Sequence, residues 1–210
     1  MSRPLATALS AAFHPLLVPS YLFYIICYQL PGVILRPLMP DRWVVLAVAF
    51  VFTFLLPSLL TATLHWLGRV ESITLPDRRH RPLPFLLTAI CFAAATLMFQ
   101  HERDAFDPLL MHMMAGMTVA VLLTFLISLR WKISAHTVGV GGAVGFLSVL
   151  QMSALSGESG VWWLVSMILL TGAVMSARLA LNAHTSAQVW AGLTLGVGVV
   201  LGFGLGLTLG

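Results

Sequence analysis

Polar and apolar residues in this chain fall into long blocks. Lys, Arg, Asp and Glu occur at Arg3, between Arg36 and Arg42, between Arg69 and Arg81, between Glu102 and Asp107, at Arg130 and Lys132, at Glu158 and at Arg178. Uncharged segments run between these clusters, near Leu16–Leu35, Trp43–Leu67, Leu83–Phe99, Leu109–Leu129, Thr137–Leu155, Val161–Ala177 and Val189–Leu209. Crossing a hydrocarbon core takes roughly 17–25 helical residues, which these segments supply. Polar and apolar positions do not alternate, so helices are expected rather than a barrel. The pattern predicts an all-α integral membrane protein, a bundle of six to seven transmembrane helices forming one membrane-embedded domain over residues 1–210. Seven is the direct count. The short third segment, and the sixth, which runs into Arg178, leave six or eight open.

Composition agrees. The chain is 59% hydrophobic and 9% charged, whereas a soluble domain carries about a quarter charged residues to solvate its surface. The net charge of +4 then points to anionic lipid headgroups, not to nucleic acid, since no basic–aromatic surface is present. Cys27 and Cys91 fall inside predicted spans and read as packing residues. No small-x-small cleavage pattern follows the first apolar run, so a retained helix is expected there. Phe13-His14-Pro15 opens that run and reads as a helix entry or kink.

Glycines recur at a spacing of four: Gly141 and Gly145, Gly192 and Gly196, then Gly198, Gly202, Gly206 and Gly210. Small residues so spaced let helices approach closely in lipid, within one chain or in a homo-oligomer. The run Gly139–Gly145 follows no strand, which argues for packing over nucleotide binding.

Three short stretches hold the unusual chemistry. The first is Asp77-Arg78-Arg79-His80-Arg81-Pro82, the second Lys132-Ile133-Ser134-Ala135-His136, and the third runs from Arg178 through Asn182, His184 and Thr185 to Gln188. Two predicted spans separate each stretch from the next, so all three emerge on one side of the membrane whatever the absolute orientation. Arg78, Arg79 and Arg81 alone read as ordinary juxtamembrane charge, and His136 alone as a helix entry. Arg178 is different: it is the only charge after Glu158, and an intramembrane or deeply interfacial arginine points to a ligand or partner. His184 and Gln188 are four apart and would share a helix face.

The spacing Arg178, five residues, His184 resembles the third signature of the type-2 phosphatidic acid phosphatase superfamily, the lipid phosphate phosphatases. Ser134-Ala135-His136 resembles that family's second signature, Pro-Ser-Gly-His, with Ile133 and Ala135 in place of Pro and Gly. Arg81-Pro82 matches the end of the first, Lys-x6-Arg-Pro. Two positions depart: Thr74 stands where the lysine belongs, and Gln188 where the acid belongs.

The resemblance implies a metal-independent, cofactor-free hydrolase of a lipid phosphate in the bacterial inner (cytoplasmic) membrane. It implies His184 as nucleophile, Gln188 holding the other ring nitrogen, and His136 as acid and then base. Arg81 and Arg178, with Arg78, Lys132 and Ser134 in support, would bind the phosphoryl group. A relative that binds a phosphorylated lipid without hydrolysing it is the main alternative. A metal enzyme using His80, His136 and His184 lacks paired-histidine spacing, and a transporter would carry polar groups at the midplane. The positive-inside rule does not assign a side, because without the candidate site cations three arginines remain on each face.

Overall fold

The computed structural model describes residues 1–72, Leu75 and 77–209, with side chains through Gly204. Thr74, the departure in the first signature, lies outside the described residues. The helices are α1 (Arg3–Ala12), α2 (Val18–Tyr24), α3 (Arg42–Phe50), α4 (Leu56–Trp66), α5 (Pro82–His101), α6 (Pro108–Ser128), α7 (Ala135–Met152), α8 (Gly157–Ala180) and α9 (Ser186–Leu209). Among the described residues there is no strand. Six helices are long and apolar enough to cross a membrane: Met39–Trp66, which joins α3 and α4, then those containing α5, α6, α7, α8 and α9. This is the build of a multi-pass membrane protein.

The π turn Val51–Leu55 that links α3 to α4 has a local cause. Pro57 lacks an N–H, and its ring would clash with the carbonyl of Thr53 in a regular helix, so the backbone widens by one residue.

The first predicted span, Leu16–Leu35, does not form one long helix. Val18–Tyr24 is followed by a π turn, Ile25–Gln29, and at about 1.5 Å per residue these two cover only about 18 Å. Pro31 cannot continue a helix, and Gly32 turns the chain at φ +82°. The segment still passes from one face to the other. His14 sits against His136 at the start of α7, while the Leu35 N–H donates to Asp107 Oδ2 at 3.0 Å, at the start of α6.

The carbonyls left by the break are taken up by Arg42. This side chain is 9% exposed. Its Nη1 donates to Cys27 O, its Nη2 to Ile34 O at 3.0 Å and its Nε to Pro37 O at 3.3 Å. In lipid an unsatisfied backbone group costs several kcal/mol, so this arginine lets the broken crossing exist.

Helix α7 is the most buried of the six and stands at the centre, contacted by α9, α8, α6 and α2. The half of the bundle away from the three stretches is packed solid with Ile26, Leu30, Phe99, Leu110, Met114, Leu147 and Leu150. Between α7 and α9 the glycines act within the chain. A methyl group at Gly196 would lie 2.2 Å from Val138 O, and one at Gly192 would lie 2.2 Å from Thr137 Oγ1 and 2.7 Å from Ser134 O. Gly198 and Gly202 face open space.

Gly196→Ala is therefore expected to force α7 and α9 apart at a cost of about 1–3 kcal/mol or more. Gly198→Ala should be neutral or stabilising, by up to about 1 kcal/mol. Thermal unfolding of the two variants in detergent checks the contrast, and equal behaviour would refute the packing account.

Candidate active site

The first turn of α9 carries the third stretch. Thr185-Ser186-Ala187-Gln188 forms a capping box: Thr185 Oγ1 accepts from the Gln188 N–H at 3.4 Å, and Gln188 Oε1 accepts from the Thr185 N–H at 3.3 Å. The same Oε1 lies 3.0 Å from His184 Nδ1. A backbone N–H can only donate, so the Gln188 atom facing it is the oxygen, and Nδ1 must carry the histidine proton. His184 Nε2 is left with a free lone pair. His184 thus precedes the helix and meets Gln188 across its cap, where the spacing suggested a shared helix face.

The second stretch is tied to the third through backbone, since the Ser134 N–H donates to Gln188 O at 3.3 Å. Ser134 precedes α7, is 0% exposed, and its Oγ has no hydrogen-bond partner among the described residues. His136 Nε2 donates to Ser10 O at 3.1 Å. That carbonyl belongs to the last turn of α1, where helical partners have run out. With Nε2–H so engaged, Nδ1 is the nitrogen of His136 that gains and loses a proton.

The first stretch joins through Arg81, which is 7% exposed; its Nη1 donates to Ile133 O at 3.2 Å and its Nε to Leu75 O at 2.9 Å. Arg78 turns elsewhere, donating from Nη1 to Leu129 O at 2.7 Å at the end of α6. His80 Nδ1 lies 3.9 Å from Glu71 Oε2, and His80 does not line the cavity that His136 and His184 share. Among the described residues, no three His, Cys, Asp or Glu side chains are grouped to hold a metal.

Arg178 sits in the last turn of α8, and its buried Nε has no partner among the described residues. The helix dipole favours a cation there by about 0.3–1 kcal/mol. A buried guanidinium nitrogen without a partner carries a desolvation cost of about 1–3 kcal/mol or more, which the dipole alone does not offset. No carboxylate pairs with Arg81, Lys132 or Arg178 among the described residues. Burial, then repulsion from Arg81 and Arg178, lowers the Lys132 pKa, with Asp77 opposing. Asp77 is exposed; the Arg79 N–H is the main cause that keeps its carboxyl below the usual range.

A cavity of about 670 Å³ opens from this cluster into the bundle. Arg81, His136, Arg178, His184 and also His14 line one end; Leu22, Phe54, Phe85, Phe92, Met117, Val121 and Val200 line the rest. The half of the molecule next to the cations is thus hollow where the other half is packed. Lys132, Ser134, Gln188 and Arg78 stand outside the lining, although Lys132 is near enough to act on His184 electrostatically.

His14, read from the sequence as a helix entry, lies with its ring 5.7 Å from that of His136, at 77°. Neither it nor the Ser10 carbonyl was legible as part of the site, since both depend on how α1 folds back. The Thr185-x-x-Gln188 pattern is the signal that would have marked the capping box. Comparison of the chain with protein-family models, with curated proteins and with solved structures finds no match in any of the three.

Burial lowers the His184 pKa, the cations Arg81, Arg178 and Lys132 add to that, and the Gln188 bond opposes, leaving it at about 4. His184 is therefore neutral at physiological pH. Because this value lies below the ordinary 6.5 of an unfolded chain, its contribution to stability is complete above 6.5. It is lost as pH falls through the interval down to about 4. Nitrogen-15 histidine spectra of the detergent-solubilised protein should show His184 titrating near 4, with Nδ1 protonated above that. Gln188→Glu keeps the capping box and adds a carboxylate, which should raise the value by at least about one unit. A His184 titration near 6.5 in the wild type would refute the assignment.

Proposed function

We propose that this chain is a membrane lipid-phosphate phosphatase, acting on a phosphomonoester or diphosphate of a lipid through a phosphohistidine. The observation that carries the reading is Arg178, a guanidinium without a counter-charge beside Arg81, His136 and His184 at the end of an apolar cavity. Arginine pairs two phosphate oxygens through its planar fork and stays ionised, so a phosphoryl group fits the vacancy in charge. The apolar walls suit an alkyl or isoprenyl tail. Isoprenyl phosphates or diphosphates, phosphatidic acid, phosphatidylglycerophosphate and lipid A-type phosphates all present this combination.

In this reading the lone pair on His184 Nε2 attacks phosphorus, and the bond to the lipid oxygen breaks. His136, whose Nδ1 has taken up the proton that a phosphate monoanion brings into the site, gives that proton to the departing oxygen, and the lipid alcohol leaves. His136 then takes a proton from water, whose oxygen attacks the phosphohistidine and releases inorganic phosphate and neutral His184. Arg81 and Arg178, with Lys132 at longer range, neutralise charge on the transferred group. Gln188 keeps the proton on Nδ1 but adds no negative charge to the ring that becomes cationic in the intermediate. That last feature favours a second reading, in which the site binds a lipid phosphate and does not turn it over. Residence in a bacterial inner membrane belongs to the first reading.

Phosphate release from a panel of lipid phosphates in detergent tests the proposal. Turnover should persist in EDTA, fall at least about 10³-fold in His184→Ala, and rise in Gln188→Glu. Absence of turnover on every substrate, with phosphate still bound, would overturn the enzyme in favour of the binder.

A further inference from the structure

We propose that His14 is a third histidine of the anion site, donating its Nε2–H to a phosphoryl oxygen. The inference rests on the reading of the site as a phosphate site and adds a residue from a fourth part of the chain.

The backbone of His14 is pinned on both sides. Its N–H donates to Ala11 O at 3.3 Å, and its carbonyl accepts from Leu17 N–H at 2.8 Å and Val18 N–H at 3.2 Å. Its ring Nδ1 accepts from the Leu16 N–H at 3.4 Å. That donor is again a backbone amide, so the ring proton sits on Nε2. No residue in the described chain accepts from that Nε2–H. The ring instead lines the cavity end that holds Arg81, His136, Arg178 and His184.

A purely structural role would need only an acceptor for the Leu16 N–H, which Asn or Ser supplies with less ring to bury. What imidazole adds is a donor on its far edge, next to His136. Burial, then the Arg178 charge, lowers the His14 pKa, so the ring is held neutral. A neutral donor suits this place: a further cation beside Arg81, Arg178 and Lys132 would add repulsion and desolvation to a cluster that already lacks an acid. The segment from Ser10 to His14 then serves the site twice, with the Ser10 carbonyl orienting His136 and the His14 ring meeting the anion.

The test is inorganic phosphate binding to the purified full chain in detergent, by calorimetry and by nitrogen-15 histidine spectra. In His14→Asn the side-chain oxygen can still accept from Leu16 N–H, as an Asx turn does, while the far donor is gone. It should melt with the wild type yet bind phosphate roughly ten- to a hundredfold more weakly, the loss of one hydrogen bond to an ionised acceptor. His14→Ala should lose the same affinity and melt lower. In the wild type, added phosphate should shift the His14 Nε2–H resonance, which needs no variant to fold. Wild-type affinity in His14→Asn, or an unmoved resonance while phosphate binds, would overturn the role of His14 alone. No phosphate binding by the wild type would overturn the anion site and this inference together.

Discussion

At Gly196 the backbone of α9 runs so close to α7 that a single added methyl group would press into the carbonyl oxygen of Val138. One turn earlier, Gly192 lies against Thr137 and the Ser134 carbonyl. This contact sets the rest of the site. It brings the start of α9 level with the start of α7, so that the Ser134 N–H reaches Gln188 O, and His136 and His184 enter one cavity from neighbouring helix starts. Apolar burial gives little attraction between helices in lipid, so backbone proximity of this kind has to come from small residues.

Charge is distributed as unevenly as packing. Asp104 and Asp107 lie on the opposite face, where Arg36 Nη1 donates to Asp104 O and Asp107 receives Leu35 and Leu109. Around the cavity, among the described residues, exposed Asp77 is the one carboxylate felt by Arg81 and Lys132. A low-dielectric pocket lined by arginines, with no carboxylate among its described lining residues, is an electrostatically unfavourable arrangement by itself. An anionic ligand relieves it. Burial first, and then the same cations, keep His184 unprotonated, which leaves its Nε2 lone pair free.

The sequence displayed the spans from α5 to α9 because each is an unbroken apolar run ending in charge or a turn. It displayed the shared face of the three stretches because parity survives errors in helix ends. The break in the first crossing was hidden: Pro31 and Gly32 sit inside an apolar run, and the compensation comes from Arg42, which the sequence shows only as the end of a charge cluster. Arg78 and Arg81 were indistinguishable by type and differ through the short 3₁₀ turn Arg78–His80, which sends one toward Leu129 and the other toward Ile133. His14 was masked by Pro15, whose presence explains a kink without any chemistry. The glycines were legible as a packing signal, but not which pairs face each other inside the chain.

The dependence of the broken crossing on Arg42 bears on how a nascent chain matures. Residues 18–34 leave the ribosome before Arg42 does, and alone they carry carbonyls that neither their own short helix nor lipid can satisfy. The burial of that segment in lipid therefore depends on a side chain made after it. Ser10 and His14 belong to the same early-made stretch, so one end of the cavity is completed by a segment whose own carbonyls depend on a side chain translated after it.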